Sequence, residues 1–396
     1  MKYKVTKLFT EFFESERASG SLLLFSALMA ILIANSPLGT KFLDFWHLQI
    51  GSDWGSIHLR LSLDHWVNDG LMAIFFLLIG LEIERELYLG ELSDLKNAIL
   101  PIFAAVGGAI TPALIHYALN LGTPTQAGFG IPMATDIAFA LGILALLGSK
   151  APLSLKVFLT ALAILDDLIA ILVIAVFYTS ELAFNYLALA LGIFVILLLL
   201  NRWKVRWLPA YLLLGLVMWY AITQSGIHAA IAGVLLAFAI PFTDGGENSP
   251  SYRLQHTLHK PVAFGIMPIF ALANTGVLLL GNSLSSLLTS NTIGIFVGLL
   301  LGKPLGITLF SLLAVKTGLA KFPKGVSFRQ LIGAGFLGGI GFTMSIFITL
   351  LAFGETAFAQ NSKIAILLGS FVAGSVGYAL LSRAPQVGTE NRKETE

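Results

Sequence analysis

Asp166 and Asp167 stand side by side in Leu159-Thr-Ala-Leu-Ala-Ile-Leu-Asp-Asp-Leu-Ile-Ala-Ile171, a stretch otherwise almost free of polar side chains. Asp136 lies in Ala134-Thr-Asp-Ile-Ala-Phe139, and Lys303 in Leu300-Leu-Gly-Lys-Pro304. An ionisable group at the centre of a membrane helix costs about 2.5–3.5 kcal/mol and is a functional candidate by default. Three carboxylates against one ammonium carry a charge of −2 if all are ionised. No buried site holds that charge unneutralised, so a proton or a bound cation supplies the balance. Neighbouring helix positions point about 100° apart, so one of the paired aspartates can meet Lys303 while the other faces an aqueous funnel. A purely structural ion pair of Asp166 with Lys303 explains two charges and strands the rest. Asp136 alone reads equally well as the cap of a broken helix end.

The elements that carry these residues are membrane helices. Of 396 residues, 56% are hydrophobic and 12% charged, about half the charged share of soluble domains. A spanning helix needs about 20 mostly apolar residues, and no Lys, Arg, Asp or Glu occurs in 18–40, 97–135, 207–243, 261–302, 330–354 or 364–382. The pattern predicts an all-α integral membrane protein. Its twelve segments lie near 19–37, 64–84, 97–119, 125–147, 153–178, 183–201, 207–222, 226–240, 260–281, 292–315, 330–353 and 362–382. The first charge-free run is longer than the 7–15 residues of a signal peptide's apolar region, and further segments follow it. Residues 1–17 read as a cytoplasmic amphipathic surface helix, 18–383 as one twelve-helix membrane domain and 384–396 as a solvated cytoplasmic tail. The absence of cysteine excludes disulfides, a cysteine redox centre and thiolate metal sites, and a net charge of +2 leaves no nucleic-acid footprint.

An even number of spans puts both termini on one side. Every Lys and Arg except Lys41, Arg60, Lys363 and the intramembrane Lys303 falls on that side, which predicts cytoplasmic termini. In the first external loop Ile57, Leu59, Leu61 and Leu63 alternate with Ser56, His58, Arg60 and Ser62, a period-2 strand pattern. His47 to Ile50 can pair with it across Gly51–Gly55, giving a β-hairpin near 47–63; an irregular loop is the alternative.

Two segments are interrupted by Gly, Pro and small hydroxyl residues. The fourth reads Gly128-Phe-Gly-Ile-Pro132-Met-Ala-Thr135-Asp136, and the eleventh Gly338-Gly339-Ile-Gly341-Phe-Thr343-Met-Ser345. Non-helical backbone at membrane depth is tolerated only where it lines a cavity or packs in protein. Segments seven apart run in opposite directions, so 3–5 and 10–12 can form an inverted pair with its site at the two breaks. Close helix packing accounts for Gly107, Gly108 and the glycines of the last segment.

With Phe75-Phe-Leu-Leu-Ile-Gly-Leu-Glu82, Ser225-Gly-Ile-His228, Gly302-Lys-Pro-Leu-Gly306 and the motifs above, the chain resembles the NhaA family of bacterial sodium/proton antiporters from about residue 18 to 382. The resemblance implies a twelve-helix fold with crossed, broken helices 4 and 11, whose dipole ends meet near Asp136 and Lys303. It makes Asp167 the principal cation ligand and Asp166 its partner, alternately protonated, cation-bound or paired with Lys303. Thr135 would add an oxygen, and Asp136 would balance the positive half-helix ends. It further implies electrogenic export of Na⁺ or Li⁺ for H⁺ across the bacterial inner membrane, activation at alkaline pH, no cofactor, and a homodimer joined through the external hairpin.

The chemistry agrees. Sodium takes hard oxygen ligands, desolvation favours the neutral form of a carboxyl, and two coupled carboxylates titrate as a unit. Competition of Na⁺ and protons for the same oxygens yields exchange from alternating access alone. The resemblance also marks a pH-responsive mouth at Glu82, Arg85, Glu86, His256 and His259. The chain departs from the family pattern there, with Gln255 in place of a glutamate and Tyr252 and Glu84 in place of lysines. His228 reads as a proton relay or a packed helix-end histidine, and Asp69 lies beside Asn68 at the outer end of segment 2. An intramembrane aspartyl protease would also use two aspartates, but its Gly-x-Gly-Asp motif is absent. A cation channel or a Na⁺-coupled symporter of similar architecture are the rival transport readings.

Overall fold

Where no water reaches the backbone, every N–H and C=O needs an internal partner, and the long charge-free runs accordingly fold into helices. The computed structural model describes residues 2–54, 57–179, 182–243, 245–279 and 288–384. Among them, seven helices are long and apolar enough to cross a membrane, or nine if each of two bent pairs is one span; two shorter apolar helices accompany them. The predicted tail falls, from residue 385 on, outside the described residues.

In chain order the helices are α1 (Lys2–Ala34), α2 (Gly39–Trp46), α3 (Leu63–Tyr88), α4 (Leu95–Leu119), α5 (Ile137–Leu146), α6 (Leu153–Phe177), α7 (Phe184–Arg202), α8 (Leu208–Gln224) and α9 (Ala230–Ala239). After α9, α10 runs from Pro250–Pro261 through a π turn, Val262–Ile266, into Met267–Asn274. The last four are α11 (Ser290–Lys316), α12 (Phe328–Gly338), α13 (Phe342–Phe353) and α14 (Ala357–Ser382).

Several boundaries differ from the charge pattern. α1 is continuous from Lys2, so residues 2–17 and the first expected span share one helix. The helix expected at 260–281 begins at Pro250, which suits a first turn where its missing N–H costs nothing. It ends at Asn274, and Val277 to Leu279 continue without helical structure, held by Asn35. The Asn35 amide donates to the Val277 carbonyl at 2.7 Å, and its oxygen accepts from Leu279 N–H, also at 2.7 Å.

The loop between α2 and α3 pairs as a hairpin. Its strands are β1 (Gln49–Ile50), β2 (Asp53–Trp54), β3 (Ile57–His58) and β4 (Leu61–Ser62), with β1 antiparallel to β4 and β2 to β3. Pairing thus runs into the predicted Gly51–Gly55 turn through Asp53 and Trp54, and residues 55–56 lie outside the described residues. Gly51 sits at the interruption of the ladder with φ +108°, where a Cβ would lie 2.1 Å from the Leu59 carbonyl oxygen. Only glycine fits both constraints.

The chain divides into two compact units, one within Met1–Ser21, Glu91–Ala170 and Asn282–Glu396, the other within Leu22–Gly90 and Ile171–Gly281. In the first, α4 lies against α11 at van der Waals limits: a Cβ on Gly306 would lie 2.0 Å from the Gly107 carbonyl oxygen. In the second, α9 meets α3 as closely, a Cβ on Gly233 falling 2.1 Å from the Ala73 carbonyl oxygen. Many large apolar side chains point outward instead, among them Leu189, Leu191, Val195 and Ile196 of α7. That distribution suits a lipid solvent rather than water.

Candidate functional site

Both breaks foreseen in the chain belong to the first unit, and each leaves backbone groups without helical partners. The first is a 3₁₀ turn, Gln126–Met133, followed by extended residues up to Asp136, where α5 begins. Pro132 inside the turn has no N–H to give. The second separates α12 from α13 by three residues and bends the pair by 43°.

Each break satisfies the other. Asp136 N–H donates to the Ile340 carbonyl at 2.6 Å, and Ser345 Oγ donates to the Ile131 carbonyl, also at 2.6 Å. The Asp136 carboxylate accepts three hydrogen bonds. Phe139 N–H reaches Oδ1 at 3.0 Å, while Thr343 N–H at 3.2 Å and Thr343 Oγ1 at 2.5 Å reach Oδ2. One carboxylate therefore caps the N-termini of α5 and α13 together, where partial positive charge accumulates. Close approach at the second break requires glycine. A Cβ on Gly339 would lie 2.3 Å from the Leu299 carbonyl oxygen, and one on Gly341 2.1 Å from Ser345 Oγ.

Around Asp166 the chemistry changes sign. Lys303 follows a π turn in α11, Gly298–Gly302, and is fully buried. Its Nζ lies 2.5 Å from Asp166 Oδ2 and also donates to the Met133 carbonyl. Thr135 Oγ1 stands 2.5 Å from the same Asp166 oxygen and 2.7 Å from the Gly338 carbonyl. A hydroxyl has one hydrogen and two acceptors in reach here, so it serves one at a time. Asp166 Oδ1 is buried with no hydrogen-bond partner. Asp167, only 1% exposed on the same helix, is close enough to Lys303 to interact with it electrostatically. Thus the Asp166 carboxylate, a hydroxyl, an ammonium and one carbonyl from each break converge at a buried point, with the buried Asp167 next in sequence.

The remaining candidates lie in the second unit. His259 Nδ1 is 3.9 Å from Glu82 Oε1. The Arg85 guanidinium sits 5.8 Å above the Tyr252 ring, which in turn stacks on His256 at 6.2 Å. Glu86 lies one residue further on α3, and Gln255 is half-buried on α10. Glu84 is 5% exposed, with one carboxylate oxygen unpartnered. His228 acts locally. Its Nδ1 accepts from Ala230 N–H at 3.2 Å, leaving Nε2 to face Asp69 at 3.3 Å.

Sequence reasoning missed the carbonyls of Met133, Gly338, Ile340 and Ile131, since every residue carries one. It also missed the π turn before Lys303. The four-residue spacing of Gly294, Gly298, Gly302 and Gly306 was the available signal for the close approach of α11.

The family profile described as Na⁺/H⁺ antiporter 1 matches residues 10–381. The chain is 57% identical over 375 residues to "Na(+)/H(+) antiporter NhaA" of Flavobacterium psychrophilum, covering 95% of this chain and 96% of that protein. It is likewise 57% identical over 383 residues to the protein of the same name from Dechloromonas aromatica, covering 96% of each. The Aliivibrio fischeri protein of that name is 52% identical over 380 residues, covering 94% of this chain and 96% of its own length.

Proposed function

The chain belongs to the Na⁺/H⁺ antiporter 1 family, and on that premise we propose that it exchanges Na⁺ for H⁺ at the buried Asp166–Asp167–Thr135 oxygens. The observation that carries this reading is Asp166, held between the Lys303 ammonium and the Thr135 hydroxyl where two broken helices meet. An alkali cation and a proton are alternative ways to neutralise the same carboxylates, and a site that holds only one at a time exchanges them once its access alternates.

In this mechanism Asp167 is the principal Na⁺ ligand. Asp166 accepts a proton, joins the cation's ligands, or pairs with Lys303 when empty. Thr135 turns its hydrogen to the Gly338 carbonyl, which leaves its oxygen lone pairs for the cation. Asp136 is the counter-charge to two helix N-termini rather than a ligand, and Lys303 the counter-charge to the ends at Met133. The exchange is electrogenic, as the family resemblance implies. Li⁺, with the same hard-ligand preference, is a second substrate, and no cofactor takes part.

The wider reading is of twelve membrane helices, with 3–5 and 10–12 as inverted repeats and the broken helices 4 and 11 crossing. Both termini lie in the cytoplasm, supported by the placement of Lys and Arg. The protein sits in the inner membrane as a homodimer joined through the hairpin at 49–62. Glu82, Arg85, Glu86, His256 and His259 shape the response to pH, with Gln255 modifying it and His228 contributing through Asp69.

The test is dissipation of an imposed pH gradient by Na⁺ or Li⁺ in proteoliposomes from pH 6 to 9, with Asp167→Asn in parallel. Proton movement that rises with pH and is lost in the variant is expected. A wild type that moves no protons when Na⁺ or Li⁺ is added leaves a channel or a symporter as the working assignment.

A further inference from the structure

At the C-terminal end of α4, a second buried polar cluster takes no part in the cation site. His116 of α4 and Ser362 of α14 are fully buried, and Asn291 in the first turn of α11 is 2% exposed. Ser362 Oγ gives its one hydrogen to the Phe358 carbonyl at 2.7 Å, so it accepts from Asn291 Nδ2 at 2.8 Å. Asn291 Oδ1 thereby faces His116, 3.0 Å from Nε2, and Nε2 carries the hydrogen between them. His116 Nδ1 is left as a buried lone pair with no hydrogen-bond partner. One turn further, Asn120 Nδ2 donates to the carbonyls of His116 at 2.9 Å and Ser290 at 3.1 Å. Its Oδ1 accepts from Thr125 Oγ1 at 2.8 Å. Gly294 closes the cluster, since a Cβ there would lie 2.9 Å from His116 Cδ2 and 3.0 Å from Asn120 Nδ2.

These bonds clasp the first turn of α11 to α4 and α14. Between the clasp and Lys303 comes the π turn Gly298–Gly302. A π turn holds an extra residue in one helical turn, so reverting it to α geometry would swing a side chain beyond it by about 100° relative to the clasped end. Its far flank is held where Gly306 meets the Gly107 backbone; its near flank is held by the clasp. With both ends fixed, the extra residue stays where it is, and the Lys303 ammonium stays on Asp166.

We propose that His116 is a positioning residue for cation exchange, anchoring through Asn291 the flank of the π turn that aims Lys303 at Asp166. The inference rests on the antiport reading. On the three described helices that carry the clasp, α4, α11 and α14, the charged residues are Lys96, Lys303, Lys316 and Lys363, none of them acidic. The clasp therefore works with a neutral imidazole, and a glutamine, neutral with an amide donor at comparable reach, is its conservative replacement.

The experiment compares wild type, His116→Phe, His116→Gln and Ser362→Ala in proteoliposomes. It measures Na⁺-driven proton flux against pH and Na⁺ concentration, with thermal unfolding in detergent alongside. His116→Phe is expected to move the activity–pH midpoint about half a unit toward alkaline pH, because Asp166 without its ammonium neighbour yields its proton to Na⁺ less readily. Half-saturating Na⁺ near the wild-type midpoint rises about threefold by the same tenfold-per-unit scale, and His116→Gln restores both values. A His116→Phe protein that is only less thermostable, with midpoint and half-saturation unmoved, overturns the proposal. So does a glutamine variant shifted as far as the phenylalanine one. Should His116→Phe fail to fold, Ser362→Ala decides, since it frees Asn291 without touching the ring: an unshifted profile overturns the proposal. A wild type without Na⁺-driven flux removes the antiport reading and this inference with it, whereas a working wild type beside an unmoved variant removes this inference alone.

Discussion

Replacing Asp136 by Asn tests whether this carboxylate is a structural counter-charge or a cation ligand. The native group accepts from Phe139 N–H, Thr343 N–H and Thr343 Oγ1. An asparagine keeps one acceptor oxygen but sets an NH₂ against another donor, so one buried backbone N–H loses its partner at about 1–3 kcal/mol. The charge facing two helix N-termini disappears as well, at about 0.3–2 kcal/mol for each. Together these place the loss near 3–5 kcal/mol. With an unfolding entropy of ~2 cal/mol/K per residue, a chain of this length loses ~4–6 °C in Tm. Asp167→Asn should behave in the opposite way, losing Na⁺-driven flux while Tm holds or rises, because it removes a buried charge. The assay is thermal unfolding in detergent paired with Na⁺ titration of proton flux in proteoliposomes. An Asp136→Asn protein within about 1 °C of wild type, or one less impaired in stability than Asp167→Asn, would refute the reasoning.

Three further outcomes are expected. Gly306→Ala, whose methyl would meet the Gly107 carbonyl, should destabilise by at least about 1–3 kcal/mol and reduce folded yield. Gly265→Ala, with nothing within 4 Å of its new methyl, should not; equal yields of the two would count against the close approach of α4 and α11. Gln255→Glu adds a carboxylate to the helix that carries His259, which faces Glu82, and should change the midpoint or steepness of the activity–pH curve; superimposable curves would contradict a role for that region. Native mass spectrometry of the detergent-solubilised protein should show the proposed dimer, and deleting the hairpin 49–62 should convert it to monomer; a wild-type monomer would refute the dimer, and a dimer persisting without the hairpin would point to another interface.

What the residues announced was mainly charge and interruption. Asp136, Asp166, Asp167 and Lys303 were visible because apolar neighbours make a lone charge conspicuous. The two breaks were visible because Pro132 and the Gly338-Gly339-Ile-Gly341 run are poor helix formers. The capping alternative weighed for Asp136 proved too modest, since it serves two helices, and that pairing is a tertiary fact no local pattern carries. Backbone carbonyls at Met133 and Gly338 were invisible for the same reason. The start of α10 at Pro250 was missed because its first three turns are polar, and hydrophobicity marks where lipid is rather than where a helix begins. His116 looked like one more residue of an apolar segment; its meaning came from Asn291 and Ser362, which lie 175 and 246 positions away in sequence.

A gap in a helix is commonly taken as a place where a chain can flex. The gap between α12 and α13 is built the other way. Thr343 N–H and Oγ1 donate to the Asp136 carboxylate, Phe342 N–H donates to Ser370 Oγ and Ile340 C=O accepts from the Asp136 amide, all between buried residues. Opening it would strand several polar groups at once, each at about 1–3 kcal/mol. The interruption is therefore a welded joint, and its 43° bend should be the same whichever side of the membrane the cation faces.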